Sequence, residues 1–117
     1  MQNRANLLEE ELLRIYQEPA IGVNYLNSYG EMNIKALVEK YRGLQPDEKD
    51  QMLEMVVSFS QSPDLSSSYI SVGVLHALGK KSEVEQAYNA ARGKDNAESI
   101  IGHFDIGVSM AEYFFTH

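Results

Sequence analysis

Cysteine is missing from this sequence altogether, and only 3 prolines interrupt its 117 residues. Without thiols there can be neither a disulfide framework nor a thiolate metal site, which fits a reducing compartment. The fold must therefore rest on apolar packing, and a chain of this length reads as one domain, 1–117, able to bury a core without staples. Bases are scarce as well. Lys and Arg number 10 against 17 Asp and Glu, a formal charge of −7. Affinity for a phosphate backbone or an anionic bilayer comes from clustered Lys and Arg, so neither nucleic acid nor membrane is the expected partner. An acidic surface favours a basic protein instead. Long apolar runs are also lacking. No window is long and apolar enough to span a bilayer, and Glu9, Glu10 and Glu11 break up the N-terminal apolar residues, unlike a secretory leader. The expected location is the cytoplasm.

Catalytic motifs are equally scarce. The sequence contains no glycine-rich phosphate loop, no HExxH and no nucleophile elbow. No cofactor, metal or enzymatic activity is expected.

What is present is helical texture, organised around the stretch Asp64 to Gly79, which holds no Lys, Arg, Asp or Glu between Asp64 and Lys80. Leu65, Tyr69, Val72, His76 and Gly79 recur at helical spacing while Ile70, Val74, Leu75 and Leu78 fill the other sides, the pattern of a helix buried all round. Ser66, Ser67, Ser68, Ser71, Gly73 and Ala77 are threaded between them. Interior glycine costs a helix up to about 1 kcal/mol, and close approach of neighbouring backbones is the usual reason to tolerate it. This is read as the central helix, with the others packed around it.

Along the chain, Leu8, Leu12 and Ile15 line one face of a helix from Arg4 to Glu18, with Leu7, Leu13 and Tyr16 beside it, ended at Pro19. The following PAIGVNYLNSYG reads as a loop or one to two helical turns, whose Tyr25 and Tyr29 either cap the core or serve an interface. Ile34, Leu37, Val38 and Tyr41 mark the next helix, closed by Gly43. Pro46 then opens another, with Asp47 and Glu48 at its positive end and Met52, Met55, Val56 and Phe59 facing inward. Ser62-Pro63-Asp64 reads as a second cap-plus-proline start. Ser82 and Glu85 have the form of a capping box, followed by Val84, Ala87, Tyr88 and Ala91 and closed by Gly93. Asp95 to Glu98 repeats the cap pattern. Gly102 and Gly107 flank His103-Phe104-Asp105, so the final stretch is expected as two shorter helices bent near Asp105. No Asn-Gly or Asp-Gly hairpin turn occurs. The expected fold is all-α, with five to seven helices and a period in the thirties that allows a short superhelix of hairpins.

His76, on the charge-free helix, reads as a satisfied core histidine. His103 and Asp105 are too close in sequence to share a helical face, and His117 ends the chain. The acidic clusters carry more weight: Glu9 to Glu11, Glu83 with Glu85, and Asp47, Asp50 and Glu54 at i, i+3 and i+7. That last row forms a stripe opposite the inward face of its helix. With Tyr25 and Tyr29 as an apolar anchor, Asp47, Asp50 and Glu54 are the candidate partner-binding residues.

The segment ISVGVLHALGKKSEVEQAYNAARGKDNAESIIGHFDIGVSMAEYFF, with the size and acidity of the whole, resembles the small all-helical immunity proteins of bacterial contact-dependent inhibition and related toxin systems. That resemblance implies a cytoplasmic protein that binds a cognate toxin domain, commonly a nuclease, and blocks its active site or substrate surface. No residue role is carried over from it. The rival is a helical-repeat adaptor or regulatory subunit that binds a peptide or helix in a concave groove.

Overall fold

The computed structural model describes residues 4–17 and 31–116. Six helices fill them: α1 (Arg4–Gln17), α2 (Glu31–Arg42), α3 (Pro46–Phe59), α4 (Leu65–Ala77), α5 (Lys81–Arg92) and α6 (Ala97–Thr116), with no strand among the described residues. The chain is all-α, within the expected number of helices.

The charge-free stretch forms α4, and every residue from Ser68 to Leu75 is buried. It packs most extensively on α6 and also against α2, α3 and α5. Contacts between α2 and α6 join elements far apart in the chain, which is the packing of a bundle rather than a stack touching only its sequence neighbours. Both ends of α4 are fixed by local chemistry. Asp64 is its N-cap, accepting the Ser67 backbone N–H at 3.2 Å and the Ser67 hydroxyl at 2.7 Å. The start therefore lies after Pro63, not at Ser62, whose hydroxyl accepts the Asp64 N–H instead. At the other end Gly79 adopts a φ of +74°, Gly79 N–H reaches the His76 carbonyl and Lys80 N–H reaches the Leu75 carbonyl. This pair of bonds is a Schellman closure, and its left-handed residue is one that glycine alone adopts without strain.

Gly73 and Gly107 show why small residues interrupt these helices. A Cβ at Gly107 would lie 2.5 Å from the Tyr69 carbonyl oxygen, and one at Gly73 would lie 2.7 Å from Ile34 Cδ1 and 3.0 Å from the Gly107 carbonyl oxygen. The two glycines thus form the crossing point of α4 and α6. This corrects the expected bend: α6 is one helix of 20 residues, and Gly107 serves contact rather than a break. Two caps also shift. Lys80, whose N–H already closes α4, is the N-cap of α5 and accepts the Val84 N–H through its carbonyl, so Ser82 lies inside the helix and makes no capping box. Similarly, α6 begins at Ala97 with the Asn96 carbonyl accepting from Ile100, leaving Asp95 outside the cap position.

Leu8, Leu12 and Tyr16 of α1 enter the core, while Leu7 and Leu13 are exposed. Tyr16 meets Phe59 edge-on at 4.9 Å, and its hydroxyl lies 2.6 Å from Ser71 Oγ. Ser71 donates its only hydroxyl proton to the Ser67 carbonyl, so Tyr16 is the donor to Ser71. Ser68 likewise donates to the Ser60 carbonyl, tying α4 to the end of α3. Asn33 Nδ2 donates to the Ile15 carbonyl in the last turn of α1, where helix carbonyls run out of intrahelical donors.

Candidate functional site

Helix α3 takes its orientation from its apolar face. Met52 and Val56 are fully buried, and Met55 and Phe59 pack against the same core. Pro46 occupies the first turn, and Asp47 and Glu48 lie where the helix dipole favours negative charge. The inward face turns Asp47, Asp50 and Glu54 outward, and all three are exposed. At about 1.5 Å rise per residue the stripe runs roughly 10 Å along the helix. None of the three forms an ion pair or hydrogen bond among the described residues. Lys49 does not neutralise them, because its ammonium lies 5.5 Å from the ring centroid of Tyr41 on α2. The predicted acidic row is therefore assembled on one accessible face. Tyr25 and Tyr29 lie outside the described residues.

A second feature, lined by none of these three acids, was not read from the sequence. Leu7 and Leu8 of α1, Lys40 of α2, Leu44 of the α2–α3 turn and Glu48 of α3 line a cleft of about 180 Å³ together with Glu11. Glu11 and Lys40 form an ion pair across it. Leu7 is 45% exposed, the highest value among the large apolar side chains of the described residues. Leu44 was the available signal, being an apolar residue in a turn otherwise made of Gly43 and Gln45. Its partner Leu7 could not be named without the packing of α1 on α2.

The histidines do not make a reactive cluster. His76 is not a core residue: its side chain is one-third exposed, and Nε2 lies 3.1 Å from Glu112 Oε1 of α6. The reason is its place in the last turn of α4, where the helix emerges from the bundle. His103 Nδ1 lies 2.7 Å from the Ser99 carbonyl oxygen, and its ring lies 5.9 Å from that of Tyr69. Asp105 instead accepts a 2.8 Å hydrogen bond from the Tyr88 hydroxyl. Burial and this bond both push the Tyr88 phenol above its ordinary range, and burial does the same for Tyr16 despite the opposing bond to Ser71. Among the described residues no three His, Asp or Glu side chains are placed to share a metal ion, and no helix is long and apolar enough to cross a membrane.

Two further clefts, each of about 340 Å³, lie elsewhere. One follows α5 along Val84, Tyr88 and Arg92, and the other lies between the α3–α4 and α5–α6 turns beside Pro63 and Lys94. Neither collects the acidic row. Fold and surface together define an all-α bundle with an accessible acidic face. In comparison with family models, curated proteins and solved structures, the chain matches none of them.

Proposed function

We propose that this protein is an immunity-type inhibitor. It acts in the cytoplasm without chemistry of its own, binding one cognate toxin domain of basic character, of which nucleases are the best-fitting class, and covering its active site or substrate surface. The observation that supports this most is the accessible row of Asp47, Asp50 and Glu54, unpaired among the described residues. Carboxylates without internal partners leave their field available to a cationic partner and speed encounter. The cleft at Leu7 and Leu44, which reaches α3 at Glu48, adds a place for an apolar anchor, as tight interfaces need. Tyr25 and Tyr29 are proposed as further anchors on their sequence alone.

The test is co-expression of the tagged protein with the product of the reading frame directly upstream of its gene. Stoichiometric capture with loss of that product's toxicity is the expected result. A stable complex that leaves the partner fully active would favour the adaptor reading, and failure of the two to associate would sink the immunity reading.

A further inference from the structure

Two lysines from different elements converge on one aromatic ring. Tyr41 lies in the last turn of α2, Lys49 in α3 and Lys80 in the turn from α4 to α5, and the two ammonium groups lie 5.5 and 5.9 Å from the ring centroid. Both backbones are held by ordered turns: Pro46 opens the helix that carries Lys49, and the Schellman closure at Gly79 places Lys80. Among the described residues neither lysine has a carboxylate partner, and the Tyr41 hydroxyl has no hydrogen-bond partner. In a chain with 17 acids to 10 bases, two such lysines against one ring call for a reason. Each cation–π contact at such a partly exposed place contributes only about 0.5–1 kcal/mol, and the two like charges repel.

We propose that Tyr41, Lys49 and Lys80 form an oxyanion site that takes a phosphate dianion, either free or as a monoester on a protein side chain. Two ammonium groups match the charge of a dianion, whereas a carboxylate would leave one uncompensated. Lysine binds phosphate as a point charge, with no demand for a planar, two-pronged geometry. The flexible lysine stems let both charges close on a ligand at the ring edge, where the Tyr41 hydroxyl supplies a further donor. A polynucleotide fits poorly, since each of its phosphates carries one charge and the whole chain meets a protein of net charge −7. Glu48 and Asp50 flank Lys49 in sequence and Glu83 follows Lys80 by one turn, and their charges oppose the binding of any anion there. The site uses none of the three acids of the α3 row and does not depend on the proposed function.

The experiment is an NMR titration of the full chain at low ionic strength and pH above 7, with inorganic phosphate, with a phosphoserine peptide, and with chloride at matched ionic strength. Saturable shifts at Tyr41, Lys49 and Lys80 are expected with phosphate and not with chloride. They should weaken near about pH 5, where phosphate monoesters, with a second pKa near 6, are singly charged. K49Q and K80Q should each lower phosphate affinity by about tenfold, the loss of one charge-assisted contact, while K49R and K80R retain binding and confirm an intact fold. Tighter binding of the peptide identifies a phosphorylated side chain as the source, and equal or tighter binding of the free ion identifies a small molecule. Both support the site. Chloride reproducing the shifts, or K49Q and K80Q leaving phosphate affinity unchanged, would overturn it.

Discussion

Gly107 and Gly102 lie in the same helix, five residues apart, yet they face opposite demands. A methyl group at Gly107 has to displace backbone, the Tyr69 carbonyl at 2.5 Å, whereas at Gly102 it meets nothing within 4 Å. Gly107→Ala should therefore destabilise by about 1–3 kcal/mol or more through overpacking, and Gly102→Ala should stabilise by roughly 0.5–1 kcal/mol through helix propensity. Chemical denaturation of the pair separates the two effects, and equal shifts would contradict the helix crossing described above. A second contrast concerns the buried bond from Tyr16 to Ser71. Tyr16→Phe removes the donor and leaves Ser71 bonded to Ser67, while Ser71→Ala leaves a buried hydroxyl with no acceptor. The serine change should thus cost more, about 1–3 kcal/mol against about 1 kcal/mol for the tyrosine change. Because the folded Tyr16 and Tyr88 phenols titrate above their unfolded value of 10.0, the folded state holds protons that the unfolded chain has already lost. That stability is fully present below about pH 10 and is lost as pH rises beyond it. Tyr16→Phe should make the alkaline decline shallower, as measured by denaturation midpoints across that range. The sequence marked the small residues of α4 as contact points, since glycine inside a helix has few other uses. It did not disclose that Gly107 was the partner of Gly73, because that pairing depends on how two distant helices cross.

Helix existence was legible wherever apolar spacing ran for three turns, and all six helices fall on such stretches. Boundaries were legible only where the cap was local. Pro46 opens α3 as its sequence position suggests, but Ser82 and Asp95 each stand one or two residues from where their helices begin. In α5 the cause is a constraint from outside the helix: the Lys80 N–H is bound to Leu75 by the closure of α4, so the chain enters α5 directly from that turn. A motif of correct spacing is thus overridden by the geometry of its neighbour. The difference is measurable. Asp64 holds two bonds as the N-cap of α4, so Asp64→Ala should cost about 0.5–2 kcal/mol. Ser82→Ala should change stability by less than about 0.5 kcal/mol, the usual range for a surface position. Comparable losses in thermal denaturation of the two variants would restore the capping box at Ser82.

At the scale of the whole molecule, charge is sorted by element rather than spread evenly. The acids of α3 look outward on one stripe, Lys49 of the same helix is turned aside to Tyr41, and Lys40 is engaged with Glu11. The acidic row was legible because carboxylate spacing and apolar spacing on one helix determine each other. The Leu7 cleft and the lysine pair were not, since the cleft needs α1, α2 and α3 brought together in space and the pair needs α2, α3 and the α4–α5 turn. The sorting makes the proposed interface testable without disturbing the core. Asp50→Lys with Glu54→Lys alters two exposed groups that have no partner among the described residues, so thermal stability should stay within about 0.5 kcal/mol. Against a basic cognate toxin domain, the reversal turns long-range attraction into repulsion. Association should slow most at low ionic strength, and the rate should lose its decline with added salt. Dissociation should quicken as well if either carboxylate is desolvated against a cation in the complex, because reversal then buries like charges together. Stopped-flow association and surface-based dissociation at low and high salt separate these effects. Unchanged rates at both salt concentrations would place the interface on another face, with the α5 groove beside Tyr88 the next surface to probe.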